Sequence, residues 1–131
     1  MTEAKAIIVQ QQDLPWETRD VYAETEHGRV RWKTLLSSDR TPTAGLTHGL
    51  VEIPPGEQLT LHQHTPAESY YIIAGEGFVL CNGDRHSVSA GSTVFIPGNS
   101  VHTIGASGEQ VLVVFYSFPV DSFKQVDYQY Q

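Results

Sequence analysis

Two histidines and a glutamate lie close together in the segment "GEQLTLHQHTPAESYYIIAG", which runs from Gly56 to Gly75. Residues two apart in a strand share a face, so His62 and His64 would point the same way, about 7 Å apart along the chain. A hairpin at "TPA" would bring the carboxylate of Glu68 back beside both imidazoles. Two neutral imidazoles and a carboxylate suit a divalent metal and leave positions open for substrate. The spacing therefore predicts a metal site, with two solvated strand histidines as the plainer alternative.

The elements that must hold these side chains are short strands. Apolar β-branched and aromatic runs recur between Val30 and Phe118 and are separated by Gly, Pro, Asn and Asp. The turn in "CNGDR" is the clearest, because Asn-Gly suits a type I′ hairpin. Runs at this spacing predict an all-β antiparallel sandwich or small barrel rather than a parallel α/β sheet. The candidate strands are VRWKTLL, GLTHGLVEI, QLTLHQH, ESYYIIA, GFVLC, RHSVS, STVFI, VHTIG and QVLVVFYSF.

Length and composition predict one domain over residues 1–131. A chain of 131 residues is long enough for one hydrophobic core and too short for two. We expect an N-terminal arm over 1–29 with at most a turn of helix, a barrel core over 30–118, and a C-terminal tail over 119–131. A short helix could follow Pro119 in that tail.

The charge balance limits the kinds of partner. The formal net charge is −7, and a surface of that sign repels nucleic-acid phosphates and anionic lipid. The first residues lack the apolar core of a signal peptide, and no run is long enough to span a bilayer. Cys81 is the only cysteine, which excludes an internal disulfide and fits a reducing compartment. We therefore expect a cytoplasmic protein that binds neither nucleic acid nor membranes.

Two segments together resemble the paired motif of the cupin superfamily. The first motif is filled completely, by Gly56, His62, His64, Glu68 and Gly75. The second, "GSTVFIPGNSVH", matches at Gly91, Pro97 and His102. Asn99 stands where the family has glycine, a mild departure because Asn tolerates a left-handed backbone. Ala106 replaces an asparagine that usually supports the barrel and is not a metal ligand.

This resemblance implies a jelly-roll β-barrel of six to eight strands with one divalent transition metal inside. The ligands would be His62, His64, Glu68 and His102. The metal stays open among Fe, Mn, Ni, Co and Zn, because a mixed nitrogen and oxygen site accepts several. Small cupins usually dimerise through sheet faces or exchanged N-terminal strands, so we expect a homodimer.

A narrower resemblance covers most of the chain, from about Arg31 to Tyr128. The stretches "RWKTLL", "GLTHGLVEIPPGEQLTLHQHTPAE" and "FYSFPVDSFKQVDY" are similar to the short single-domain cupin lyases that cleave dimethylsulfoniopropionate into dimethyl sulfide and acrylate. Two tyrosines in those enzymes are implicated in proton abstraction. Their positions match Tyr70, two residues after the glutamate, and Tyr128, after "PVDSF". The resemblance thus implies a small carboxylate substrate and a β-elimination with Tyr70 and Tyr128 as catalytic residues.

Other side chains could complete such a pocket. Strand parity places Tyr70 and Ile72 on the same face as Glu68, and a cationic sulfonium would be attracted by aromatic ring faces. His48 could reach the pocket, with a simply half-buried histidine as the alternative. We expect a structural role for Cys81 and exposed positions for His27 and His86. The candidate aromatic wall, for which core packing is the alternative, is Trp32, Tyr71, Phe95, Tyr116 and Phe118.

Two other functions stay open on the sequence alone. Iron at the same four ligands could activate dioxygen toward a small acid or thiol, and a non-enzymatic cupin could simply bind a small molecule. The ligand set does not separate these functions. No DNA-binding helix pair or basic patch accompanies the domain, which argues against regulation by direct DNA contact.

Overall fold

The computed structural model describes residues 4–18 and 30–131. Regular structure in these residues consists of β-strands and two single-turn 3₁₀ helices, Gln11–Asp13 and Phe123–Gln125. The strands are β1 (Arg31–Leu36), β2 (Thr47–Ile53), β3 (His62–Gln63), β4 (Glu68–Ala74), β5 (Glu76–Cys81), β6 (Asp84–Ser89), β7 (Thr93–Ile96), β8 (His102–Ala106), β9 (Leu112–Phe118) and β10 (Gln129–Tyr130).

Two antiparallel five-stranded sheets form the fold. Sheet A has the order β1-β2-β9-β4-β7, and sheet B has the order β10-β3-β8-β5-β6. The chain passes repeatedly from one sheet to the other between β4 and β9, so strands that follow each other in sequence often lie in different sheets. This arrangement confirms the all-β fold class that the turn and strand pattern predicted.

The core lies between the sheets and follows from alternating side chains. In β2 and β9 every second residue is buried, from Thr47 to Ile53 and from Leu112 to Phe118. In β4 the inward residues are Glu68, Tyr70 and Ile72, as parity predicted. The outward residues Tyr71 and Ile73 are each 48% exposed, so apolar side chains also cover part of the outer face of sheet A.

Two turns adopt the backbone conformations that their residues suggest. Asn82 and Gly83 have φ values of 48° and 89°, which confirms the predicted type I′ hairpin between β5 and β6. Asn99 has a φ of 62°, so it accepts the left-handed conformation of the glycine that it replaces in the cupin motif. Its backbone N–H donates to the His64 carbonyl at 2.8 Å, which joins the two motif segments.

Two details of the strand prediction differ from the structure. The expected strand over 58–64 is reduced to His62–Gln63, because the preceding residues contact β8 only through isolated bonds such as Leu59 N–H to the Ile104 carbonyl. Strand β10, within the predicted tail, was missed, since its partner β3 is distant in sequence. The short helix expected after Pro119 is present as the 3₁₀ turn Phe123–Gln125, capped by the Ser122 side chain.

The described part of the N-terminal arm is attached to β1. Glu17 pairs with Trp32 through two backbone hydrogen bonds, and its carboxylate accepts two more from the Arg40 guanidinium at 2.8 and 2.9 Å. The Trp16 ring lies 4.1 Å from the Arg31 guanidinium carbon. Residues 1–3 and 19–29, with His27, lie outside the described residues. The division into arm, barrel and tail stays a prediction.

Among the described residues, no helix has the length and apolar character needed to cross a membrane.

Candidate metal centre

The four predicted ligands come together in one buried cluster. Their potential ligand atoms all lie within 4.8 Å of one another. His62 and His102 face each other across the β3–β8 pair of sheet B, His64 lies just after β3, and Glu68 begins β4 in sheet A. The cluster therefore joins the two sheets at one end of the core.

Backbone carbonyls orient all three imidazoles in the same way. The Nδ1 atoms of His62, His64 and His102 lie 2.7, 2.8 and 2.8 Å from carbonyl oxygens two residues away along the chain. A neutral imidazole whose Nδ1–H donates to a carbonyl keeps the lone pair of Nε2 free, which is the usual arrangement of a metal-bound histidine. The Nε2 atoms of His64 and His102 lie 3.2 and 3.3 Å from Glu68 Oε1. Three such nitrogens and one carboxylate fit a divalent transition metal.

Electrostatics supports a neutral His62 and an ionised Glu68 in the centre. Burial, together with the nearby His102, lowers the pKa of His62 to about 4, so this imidazole is neutral at physiological pH. Burial works to raise the pKa of Glu68, but without a metal the protonated Nε2 atoms of His102 and His64 donate hydrogen bonds to its carboxylate, which outweigh burial and lower that pKa. A bound metal would take the place of these Nε2 protons. Burial likewise opposes protonation of His64, and the Glu68 carboxylate outweighs it and raises the pKa of His64. The centre thus holds an ionised carboxylate beside imidazoles.

A cavity of about 70 Å³ opens beside the centre. One water needs roughly 10–15 Å³ on this scale, so a small molecule of several non-hydrogen atoms can enter. Among the described residues that line it none is Lys or Arg, and apart from the centre its walls are aromatic and aliphatic. The lining residues are Val30, Trp32, Val51, Leu59, His62, Glu68, Tyr70, Tyr116, Phe123, Tyr128 and Tyr130.

Both tyrosines named from the sequence lie at this cavity. Tyr70 is 2% exposed, and its hydroxyl has no hydrogen-bond partner of normal geometry among the described residues. Burial and the charge of Glu68 raise the pKa of Tyr70 well above its ordinary value. The Tyr128 ring centroid lies 5.5 Å from that of His62 and 5.4 Å from that of His64. Their catalytic role stays a prediction.

The predicted aromatic wall is correct only in part. Trp32 and Tyr116 line the cavity, but Tyr71 and Phe95 are exposed on the outer face of sheet A because they alternate with inward residues. Phe118 is fully buried and packs edge-on against His64 at 5.2 Å instead of lining the cavity.

His48 does not reach the cavity. The inward residues of β2 are Thr47 and Gly49, so His48 lies on the outer face, where its ring packs against Phe115 at 5.0 Å. His86 is exposed, as expected.

Sequence reasoning missed Phe123 and Tyr130 as cavity residues. Phe123 belongs to the "PVDSF" segment that carried the family likeness, so the signal was available there. Tyr130 reaches the site only because β10 pairs with β3, directly opposite His62. Nothing local in the sequence indicates that pairing.

Comparisons with known proteins agree with this fold. The family model for the cupin domain matches residues 49–118, more than half of the chain. The dimethylsulfoniopropionate lyase DddW of Ruegeria pomeroyi is 36% identical over 104 residues, which cover 79% of this chain and 68% of that protein. An oxalate-binding protein of Thermotoga maritima is 32% identical over 82 residues, which cover 62% of this chain and 68% of that protein.

A solved structure extends the likeness to the whole barrel. The crystal structure of a predicted oxalate decarboxylase from Thermotoga maritima superposes with a TM-score of 0.75 at 26% identity. The superposition covers 87% of this chain and 99% of the other.

Proposed function

The chain belongs to the cupin family, and from that premise we propose that it is a metal-dependent lyase that cleaves dimethylsulfoniopropionate into dimethyl sulfide and acrylate. The observation that carries the proposal is the Tyr70 hydroxyl, buried without a partner of normal geometry two residues from Glu68. An unpaired buried hydroxyl costs about 1–3 kcal/mol, a cost that a role toward substrate would explain. The identity to a dimethylsulfoniopropionate lyase over most of the chain supports the substrate.

The cavity suits a molecule with one carboxylate and an otherwise uncharged or cationic body. His62, His64, Glu68 and His102 would hold the metal. A bound divalent metal would supply a Lewis acid for the substrate carboxylate. Burial and the Glu68 charge both raise the pKa of Tyr70, and the metal would offset the second of these. No lysine or arginine among the described lining residues offers a second anion site.

The chemistry assigned to the protein is a proton transfer. Tyr70, as phenolate, takes one proton from the carbon next to the substrate carboxylate and becomes a neutral phenol. The electrons of that carbon–hydrogen bond form the double bond of acrylate. The carbon–sulfur bond breaks, and its electron pair leaves with dimethyl sulfide. Tyr128, whose ring lies beside those of His62 and His64, assists the same proton transfer.

The aromatic walls would hold the sulfonium end. A sulfonium carries positive charge but no hydrogen-bond donor, so ring faces are suitable partners. Three aromatic residues of the lining come from elements that carry no metal ligand: Trp32 from β1, Tyr116 from β9 and Phe123 from the second 3₁₀ helix. They are the candidates for this contact.

The test is headspace dimethyl sulfide from metal-reconstituted protein given dimethylsulfoniopropionate, with acrylate measured in the same vial. Equal amounts of both products, formed also without oxygen and lost in His64→Ala, are expected. A reaction that needs oxygen would instead support a cupin dioxygenase acting on a small acid or thiol. No product from protein that holds its metal would refute the lyase.

A second candidate is binding of a small carboxylate without turnover. The resemblance to an oxalate-binding protein favours it, because the metal and the small cavity would suffice for such binding. Calorimetric titration of the metal-loaded protein with oxalate and with dimethylsulfoniopropionate separates the two. Tight oxalate binding with no dimethyl sulfide release would favour the binding protein.

We also propose a cytoplasmic homodimer. The outer face of sheet A carries exposed apolar side chains, among them Tyr71, Ile73 and Phe95, which a second copy would cover. The single cysteine is free and partly buried, which is compatible with a reducing compartment. A light-scattering mass equal to one chain would refute the dimer.

A further inference from the structure

The C-terminal strap, residues 119–131, runs from sheet A across the metal centre to sheet B. At its near end Asp121 Oδ1 accepts a hydrogen bond from the Gly45 N–H at 2.6 Å. At its far end β10 pairs with β3, and the Gln131 N–H donates to the Leu61 carbonyl at 2.9 Å. Tyr128 lies between these attachments, immediately before β10.

Asp127 also attaches the strap, next to Tyr128. Its Oδ1 accepts the Thr65 backbone N–H at 2.7 Å, and its Oδ2 accepts the Thr65 hydroxyl at 2.5 Å. These bonds lower the pKa of Asp127, so the carboxylate is ionised at neutral pH. Thr65 directly follows the predicted ligand His64. One pair of hydrogen bonds therefore links the residue before Tyr128 to the residue after a histidine of the centre.

The backbone at Thr65 is held in place by the neighbouring loop. A Cβ on Gly98 would lie 2.3 Å from the Thr65 carbonyl oxygen, so the two loops are in close contact. The neighbouring Asn99 N–H donates to the His64 carbonyl at 2.8 Å. The loop that holds Thr65 is thus braced by the second motif, and whatever binds Thr65 is placed accurately relative to the histidines.

Stability alone does not account for these bonds. Asp127 is exposed, and hydrogen bonds and ion pairs in contact with water contribute little to folding. Val126, two residues before Tyr128, is buried in the core, but apolar packing is non-directional, so it would still let the Tyr128 side chain move by an ångström. Misplacement of that size can cost about 100-fold in rate.

We propose that Asp127 is a positioning residue, which holds the Tyr128 ring against His62 and His64 through its two hydrogen bonds to Thr65. The proposal rests on the proposed function for its kinetic consequence, but its geometric part does not. Asp127 itself touches no substrate. It acts through the placement of Tyr128, so its removal should alter the position of that ring while the four ligands stay in place.

The experiment compares three strap variants of the full chain. Asp127→Ala removes both bonds. Asp127→Asn removes the same charge but keeps both bonds, because the amide oxygen accepts from Thr65 N–H and the amide nitrogen donates to the Thr65 hydroxyl. Asp121→Ala is the matched control, since it removes a carboxylate-to-backbone contact from the same strap at the end away from Tyr128.

The first readout needs no activity. In zinc-loaded protein, the NMR signals of the His62 and His64 ring protons report the nearby Tyr128 ring. We expect Asp127→Ala to shift them toward their positions in Tyr128→Leu, with wild-type metal content, and Asp127→Asn and Asp121→Ala to leave them unchanged. Wild-type shifts in Asp127→Ala would overturn the proposal, as would equal shifts in Asp121→Ala.

The second readout is dimethyl sulfide release. Asp127→Ala should lower kcat about 10- to 100-fold, with a smaller change in KM, and Asp127→Asn should restore most of the rate. A wild-type kcat in Asp127→Ala would overturn the kinetic part. The ring-proton shifts without lyase activity in any variant, wild type included, would support the positioning role and refute the proposed function.

Discussion

Backbone carbonyls determine which ring nitrogen of each histidine in the centre is available to a metal. The residue types and spacing were enough to predict His62, His64 and Glu68 as a group. The carbonyl partners of the imidazoles could not be predicted, because they depend on backbone turns around Thr60, Pro66 and Ser100. These contacts occupy Nδ1 of each ring and leave Nε2 for the centre, and the Nε2 atoms of His64 and His102 lie 3.2 and 3.3 Å from Glu68 Oε1.

Buried tyrosine hydroxyls give a prediction at the same scale. Tyr70 and Tyr116 hold hydroxyls without partners of normal geometry. Replacing either residue with Phe removes a group that burial penalises, so the free energy of unfolding of metal-free protein should rise by about 1 kcal/mol. Denaturant titration measures the change, with exposed Tyr71→Phe as the neutral control. A loss of stability in both variants would show that these hydroxyls are well paired.

At the scale of elements, alternation made much of the barrel predictable. The burial pattern of β4 places Tyr70 inward and Tyr71 outward, as strand parity requires. The candidate pocket residues His48 and Phe95 face outward instead, because a short strand can be recognised without knowing which face is inward. The register that decides the face comes from pairing with strands far along the chain.

Attachment of the arm to β1 should depend on pH. Burial works to raise the pKa of Glu17, but hydrogen bonds from Arg40 and Thr34 outweigh it and lower the pKa below its ordinary value of 4.5. The stability that Glu17 adds is therefore complete above pH 4.5 and is lost as pH falls through the lower folded value.

Glu17→Gln should remove this dependence. We expect this variant to lower the free energy of unfolding by about 1 kcal/mol at pH 7 and by less at low pH. Thermal unfolding over a pH series measures the difference. Glu109→Gln, which removes an exposed carboxylate, is the control. An equal cost at every pH would contradict the role given to the Glu17 charge.

Close packing between β2 and its neighbours predicts a strong effect at Gly49. A Cβ there would lie 2.1 Å from the Tyr116 hydroxyl and 2.7 Å from the Lys33 carbonyl oxygen. Since one of these is backbone, Gly49→Ala should lower the free energy of unfolding by about 1–3 kcal/mol. Gly108→Ala, whose Cβ would meet only ordinary contacts at 3.4 Å or more, should change it much less. Equal effects would contradict this packing.

At the scale of the whole molecule, the candidate metal centre bridges both sheets. A metal held by ligands from sheet A and sheet B binds the folded chain and not the unfolded one. At 100 times its dissociation constant it should add about 2.7 kcal/mol to stability, seen as a higher Tm that a chelator reverses. His64→Ala should show almost no such gain. A Tm unaffected by metal in wild type would contradict the site.

The reaction is the part that the fold leaves most open. The two motifs predicted the barrel and its centre, whereas the strap that brings Tyr128 and Tyr130 to the cavity depends on the pairing of β10 with β3. Cupin barrels serve many reactions, so the fold does not identify the reaction. The residues that line the cavity have to indicate it. This cavity has aromatic walls around a single polar centre, and the buried Tyr70 hydroxyl lies beside that centre.

The most direct test compares metal-loaded wild type with metal-loaded Tyr70→Phe, with dimethyl sulfide release and metal content measured on the same samples. Loss of a general base typically costs about 10²- to 10⁴-fold. The account predicts release by the wild type, at least about 100-fold slower release by the variant, and equal metal in both. Equal rates at equal metal content, or no release by the wild type, would contradict it.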